Sequence, residues 1–199
     1  LILWPGSDPH LPPVMFTAHM DVVPVEPGTE ADWDYPAFAG VIDNGRIYGR
    51  GTLDDKQGLL SLLEAAESLL EEGFTPRRTV LFAFGHDEEI SGLHGAVNLA
   101  ARIKERGLQS AWMIDEGGFL IDDSPLLPGR PLGLVSVAEK GYLTATLSTK
   151  GEGGHSSNPP IISTIGRLSS ALARIEDNPF EPRLVAPMVA MLEALAPHV

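Results

Sequence analysis

Residues 79–89, TVLFAFGHDEE, run a short apolar segment straight into three consecutive acids. A short, unbroken apolar run fits a strand buried on both faces, as in a parallel sheet. Three adjacent acids at its end are a costly choice for a purely structural loop. The same design appears upstream, where the run Val14–Ala18 (VMFTA) ends in His19 and Asp21, and downstream, where Ala111–Ile114 ends in Asp115 and Glu116. Helical patterns separate these runs. From Lys56 to Glu72 the apolar residues Leu59, Leu62, Leu63, Ala66, Leu69 and Leu70 fall on one helix face, with Glu64, Glu67 and Glu71 opposite and Gly73 as the stop. Gly95–Arg106 is a second amphipathic helix, stopped by Gly107. Strands alternating with helices predict an α/β fold with a mostly parallel sheet flanked by helices. In such sheets ligands sit beyond the carboxyl ends of the strands. The clusters His19/Asp21, Asp87/Glu88/Glu89 and Asp115/Glu116 are therefore expected to meet on one sheet edge.

Elsewhere the pattern is looser. Val23–Asp43 is rich in Pro, Gly and Asp and reads as a long loop, and Arg46–Tyr48 as a short strand. After Leu132 the texture changes. Tyr142–Thr149 (YLTATLST) alternates like a half-exposed strand, followed by a Gly-rich turn with His155, the pair Pro159-Pro160 and a helix over 161–175. This predicts two domains: residues 1–138 as the front part of a catalytic, metal-binding domain, and 139–199 as the start of a small α+β domain.

The chain has 199 residues, 43% of them hydrophobic, which supports a real core and excludes general disorder. Its net charge of -13 makes it a poor partner for nucleic acid or an anionic membrane surface, and neither is expected to bind. With no cysteine, thiolate metal sites, cysteine nucleophiles and disulfides are excluded. No apolar run reaches the roughly 18 residues of a membrane span. The chain opens at Leu1 in an apolar stretch and reads as a fragment whose upstream part is missing. A cytoplasmic location is the default expectation, with a lost signal peptide as the alternative.

The strand ends offer one imidazole and several carboxylates, a donor mixture that zinc accepts. Carboxylates crowded this closely repel one another, and a cation resolves the conflict. Each motif alone has a plain structural reading as well. His19-x-Asp21 fits a strand-end histidine beside a capping carboxylate. It also fits a metal ligand whose imidazole Asp21 orients. Gly49–Lys56 (GRGTLDDK) fits a glycine turn with an Asp N-cap, or gives Asp54 to a metal, with Asp55 and Lys56 in supporting roles. Asp87-Glu88-Glu89 fits a solvated loop, or one Glu on a metal with its neighbour taking a proton from bound water.

Taken in order, FTAHMDVVP (16–24), GRGTLDDK (49–56), FGHDEEISG (84–92), IDEGG (114–118) and GHSSNPP (154–160) resemble the co-catalytic metallopeptidase family. That family includes aminoacylase, carboxypeptidase G, peptidase T and succinyl-diaminopimelate desuccinylase. The resemblance runs from Pro13 to about Pro160 and is greatest for the branch of Gly-Xaa carboxypeptidases and N-acyl-amino-acid hydrolases. It implies a phosphorylase/hydrolase-like catalytic domain with a lid and dimerisation domain, two zinc ions (with cobalt or manganese as substitutes) and a homodimer. It further implies that His19 binds the first metal and that Asp54 bridges both, with a cis peptide after it. Glu88 is the implied general base and Glu89 the ligand of the second metal. Asp115 is favoured to complete the first site, with the adjacent Glu116 as the alternative. His155 is the implied donor to the reacting carbonyl, reaching it across a dimer interface. The expected reaction is hydrolysis of an amide bond in small peptides or N-acyl amino acids, by a metal-bridged water that Glu88 activates. Amide formation is a rival within enzymes, and a non-catalytic metal-binding protein or an inactive fragment is the rival outside them. One departure stands out. The family's second-metal histidine comes from a later segment that this sequence does not contain, and His198 lacks the expected surroundings. The isolated chain is therefore expected to be inactive.

Overall fold

The structure, a computed structural model, describes residues 1–198. The chain divides into two compact units, Leu1–Gly117 and Gly118–Val199.

In the first unit a four-stranded sheet carries β1 (Ile2–Trp4), β2 (Val14–His19), β5 (Val80–Gly85) and β6 (Trp112–Ile114), in the order β1-β5-β2-β6. β2 runs parallel to both β5 and β6, and β1 lies antiparallel along β5. The sheet is thus mostly parallel, as its buried apolar strands predict. β5 is an inner strand, and Leu81, Phe82 and Ala83 on it are buried, with Leu81 at 0% exposure. Val14 and Ala18 of β2 complete this core. Phe16 stacks on Phe82 and meets Trp112 edge-on, tying three strands together.

Helix α1 (Lys56–Glu71) packs on β2, and α2 (Ala96–Glu105) packs on β5. On α1 the residues Leu59, Leu62, Leu63 and Ala66 are half-buried, whereas Leu69 and Leu70 at the far end are exposed. Gly73 ends α1 in the left-handed region (φ 72), and the amide of Phe74 returns to the Leu69 carbonyl. Only glycine takes that conformation without steric penalty. The loop expected over Val23–Asp43 yields its last residues to β3 (Val41–Asp43), which pairs with β4 (Arg46–Tyr48). The turn between them is Asn44-Gly45, both with positive φ, the chemistry of a tight hairpin.

The second unit holds a hairpin of β7 (Phe119–Ile121) and β8 (Leu132–Leu134), then α3 (Thr164–Glu176) and α4 (Ala186–Leu195). Two expectations need correction here. Residues 142–149 form no strand, and Tyr142 is 93% exposed. Alternation marks a face only when a neighbouring strand supplies the ladder, and among the described residues none pairs with this segment. The helix expected from 161 begins instead at Thr164, because the Ser163 hydroxyl accepts the Gly166 amide at 3.0 Å and caps it. Among the described residues no helix is long and apolar enough to cross a membrane.

Candidate functional site

The parallel register fixes where the chemistry lies. His19, the last residue of β2, is opposite Gly85, the last of β5. β6 ends at Ile114, opposite Phe16. The acids that follow β5 and β6 therefore emerge on either side of His19, at the carboxyl edge of the sheet.

His19 is 2% exposed and both its ring nitrogens are engaged. Nδ1 lies 3.0 Å from the Asp21 carbonyl oxygen and 3.4 Å from Asp21 Oδ1. A carbonyl can only accept, so this contact places the proton on Nδ1 and leaves the Nε2 lone pair facing outward. Nε2 stands 2.8 Å from Asp54 Oδ1, 3.3 Å from Glu116 Oε2 and 3.9 Å from Glu88 Oε2. Asp54 reaches the site from the turn before α1, and the Asp54–Asp55 peptide is cis. Donor atoms of His19, Asp54 and Glu116 all lie within 4.8 Å of one another. One imidazole nitrogen and two carboxylates suit a divalent metal such as zinc.

The electrostatics suit a cation as well. Burial pushes the Glu116 carboxyl up to about 7, and the neighbouring Asp55, Asp54 and Glu88 add to this against the opposing pull of His19. Burial likewise raises Glu88; His19 opposes the rise, while Glu89, Asp21 and Asp54 reinforce it. For His19, burial works against the charged form, but the Asp54 contact and the nearby Glu116 and Glu88 outweigh it and raise its pKa. Burial thus leads the rise of Glu116 and Glu88, with neighbouring carboxylates adding to it, whereas His19 is raised against burial by those carboxylates and the Asp21 carbonyl.

Other site residues are placed differently. Asp115 is engaged by the Thr17 hydroxyl of β2, and its Oδ1 also accepts the Glu116 amide at 3.0 Å. Of the two adjacent acids, then, the structure brings Glu116 to His19, although Asp115 is the one favoured from sequence. Glu89 Oε1 accepts the Val23 amide at 3.2 Å and is not among the three clustered donors. The Asp21 carboxylate accepts the amides of Glu88 and Glu89, each at 3.1 Å. Burial opposes ionisation of Asp21, but these amides outweigh it and lower its pKa. His155 lies in the second unit, exposed, where Nδ1 contacts the Ser157 hydroxyl at 2.8 Å.

Two buried acids act as structural supports, Asp55 in the supporting role read for it from sequence and Asp87 in one that sequence reasoning missed. Asp55 Oδ2 accepts the His19 amide at 3.3 Å, and Asp87 binds the amides that open α2. Their position directly beside Asp54 and Glu88 was the available signal. A cavity of about 550 Å³ lies beside these groups, with apolar walls from Met15, Leu99, Ile103 and Met113 and with His19, Glu88 and Glu116 among its lining.

Comparison with known proteins gives a consistent result. The sequence model described as peptidase family M20/M25/M40 matches residues 15–196. The chain is 42% identical over 193 residues to bovine N-fatty-acyl-amino acid synthase/hydrolase PM20D1, covering 96% of this chain and 38% of that protein. It is 41% identical to carboxypeptidase S of Saccharomyces cerevisiae, covering 100% of this chain and 35% of that protein. A metallo-carboxypeptidase structure from Sulfolobus solfataricus is similar at 26% identity and a TM-score of 0.46, over 56% of this chain and 24% of that one. The chain thus spans under two fifths of the length of these relatives.

Proposed function

The chain belongs to peptidase family M20/M25/M40, and from that premise we propose that the complete protein is a metal-dependent hydrolase of amide bonds in small peptides or N-acyl amino acids. The observation that carries the proposal is the convergence of His19, Asp54 and Glu116 on one sheet edge, with Glu88 beside them. Support for the substrate class comes from the names of the relatives, one an N-fatty-acyl-amino acid synthase/hydrolase and another a carboxypeptidase.

In this reading His19 Nε2 and the carboxylates of Asp54 and Glu116 hold the first ion. Zinc fits that donor set, with cobalt or manganese as substitutes. Asp54 and Glu89 serve a second ion in the complete protein. Bound there, the ions would supply Lewis-acid polarisation of the scissile carbonyl and an acidified water. The residues do the rest. Asp21 keeps the His19 ring oriented through its carbonyl and holds the Glu88 and Glu89 amides through its carboxylate. Glu88 takes the proton of the attacking water on its carboxylate and returns it to the leaving nitrogen. Burial raises its pKa, the direction that makes a carboxylate a better proton acceptor. His155, in a domain spanning 139–199 that acts as a lid and dimer contact, donates an N–H to the carbonyl oxygen as charge develops there.

The experiment is direct. The complete protein is stripped with a chelator, reloaded with zinc and assayed against N-acyl amino acids and Gly-Xaa dipeptides. Hydrolysis that vanishes on stripping and returns with zinc is expected. Full turnover in the stripped protein would overturn the proposal.

A further inference from the structure

The turn between β5 and α2 carries Glu88 and Glu89, yet its regular structure is a single 3₁₀ turn, Glu88–Ile90. Its geometry depends on side chains that hold it from outside. Asp21 holds the amides of Glu88 and Glu89 on the β2 side. Asp87 holds the α2 side. It is 5% exposed, and both carboxylate oxygens are committed: Oδ2 accepts the His94 amide at 2.6 Å and Oδ1 the Gly95 amide at 2.7 Å. Its carbonyl also accepts the amides of Gly92 at 2.7 Å and Ile90 at 3.3 Å. One residue thus joins the turn bearing Glu88 to His94 and Gly95, the residues that lead into the helix. Packing there leaves no slack. A Cβ on Gly95 would stand 2.3 Å from Asp87 Oδ1 and 3.0 Å from the His86 amide nitrogen.

We propose that Asp87 is a positioning residue for Glu88 beside Asp21, locking the acid turn to the residues that lead into α2 so that the Glu88 carboxylate stays beside His19. The inference rests on the reading of Glu88 as the base. Asp87 is spent on backbone amides, so its influence on the reaction passes through Glu88. A base must lie within about 2.6–3.2 Å of the proton it takes. Displacement by about 1 Å from a change outside the reacting groups lowers turnover by up to about 10²-fold. His19, Asp54 and Glu116 are carried by β2, the turn before α1 and the end of β6, so they do not depend on this lock. Glu89 keeps two holds of its own, through Asp21 and Val23.

The test uses the complete zinc-loaded protein, comparing Asp87→Asn, Gly95→Ala and Glu88→Gln with Leu81→Ala as a control matched for loss of melting temperature. Asp87→Asn keeps one acceptor and so protects the fold, whereas Gly95→Ala displaces the carboxylate without altering Asp87. Both are expected to lower kcat by about 10- to 10²-fold with zinc content unchanged. Their KM should stay within about twofold, the pattern of a lost transition-state interaction. Leu81→Ala should keep kcat. Wild-type kcat in Asp87→Asn and Gly95→Ala, with Glu88→Gln inactive, overturns this inference alone. So does a fall in kcat that tracks zinc loss, or an equal fall in Leu81→Ala. Wild-type turnover in Glu88→Gln overturns the base reading and this inference with it.

Discussion

Replacing Glu116 by Gln, and separately Asp115 by Asn, separates two adjacent acids that are chemically alike and structurally unlike. Glu116 Oε2 stands 3.3 Å from His19 Nε2 and belongs to the cluster of three donors. Asp115 Oδ1 is committed to the Thr17 hydroxyl and the Glu116 amide. Removing the Glu116 carboxylate takes one of three donors, and one of two carboxylates, from that cluster. Loss of a supporting partner behind a ligand lowers metal affinity by about 10- to 100-fold, and loss of a ligand should do at least as much. We expect zinc affinity to fall by at least about 100-fold in Glu116→Gln, equivalent to about 2.7 kcal/mol. In Asp115→Asn the amide oxygen still accepts from Thr17 and the Glu116 amide, so the fall should stay below about 10-fold. Competition against a chromophoric chelator on the 199-residue chain measures both. A larger loss in Asp115→Asn than in Glu116→Gln would refute the reasoning and return the ligand role to Asp115.

Further outcomes follow from the same geometry. After dialysis the 199-residue chain should hold one tightly bound zinc, because one donor cluster is assembled among the described residues; two tight equivalents by elemental analysis would contradict this. Glu116 has a folded pKa of about 7 against a reference of 4.5, so it binds its proton more tightly when folded. Its contribution to stability is complete below 4.5 and lost as pH rises through about 7, and the raised His19 acts in the same direction above 6.5. The melting temperature of the metal-free protein should therefore fall between pH 5 and 8, and a rise by calorimetry over that range would count against the assignment. In the complete protein His155→Ala should lower kcat by about 10²–10³-fold with metal content unchanged. Mixing it with Glu88→Gln should restore activity if His155 acts across a dimer, and no recovery in verified heterodimers would sink that arrangement.

Much of the first unit was legible because one physical signal dominated it. Buried parallel strands need unbroken apolar runs, and polar residues cannot interrupt them without exposing the mistake. The runs at 14–18 and 79–84 therefore located β2 and β5, and the acids after them located the sheet edge. α1 was equally clear, since its leucines keep one face over four turns and Gly73 closes it. The hairpin at 41–48 was half read: Asn44-Gly45 is a strong turn signal, but the strands it joins are too short to show alternation. Residues 142–149 show the opposite failure, a clear alternation with no partner strand to satisfy it. Within the site, the sequence named every member of the donor cluster but favoured Asp115 over Glu116. Both acids lie just past β6, and it is Thr17 on the neighbouring strand that engages Asp115, a contact between distant parts of the chain that no local pattern marks. The role of Asp87 depends on which backbone amides fold back within reach, those of His94 and Gly95, and the periodicity of the sequence does not mark them.

The most direct measurement of the central claim is anomalous diffraction at the zinc edge from zinc-loaded crystals. The account predicts a peak at the carboxyl edge of the sheet, about 2.0–2.2 Å from His19 Nε2 and from carboxylate oxygens of Asp54 and Glu116. A well-occupied peak that lies away from His19, or none at that edge in protein shown to carry zinc, would contradict it.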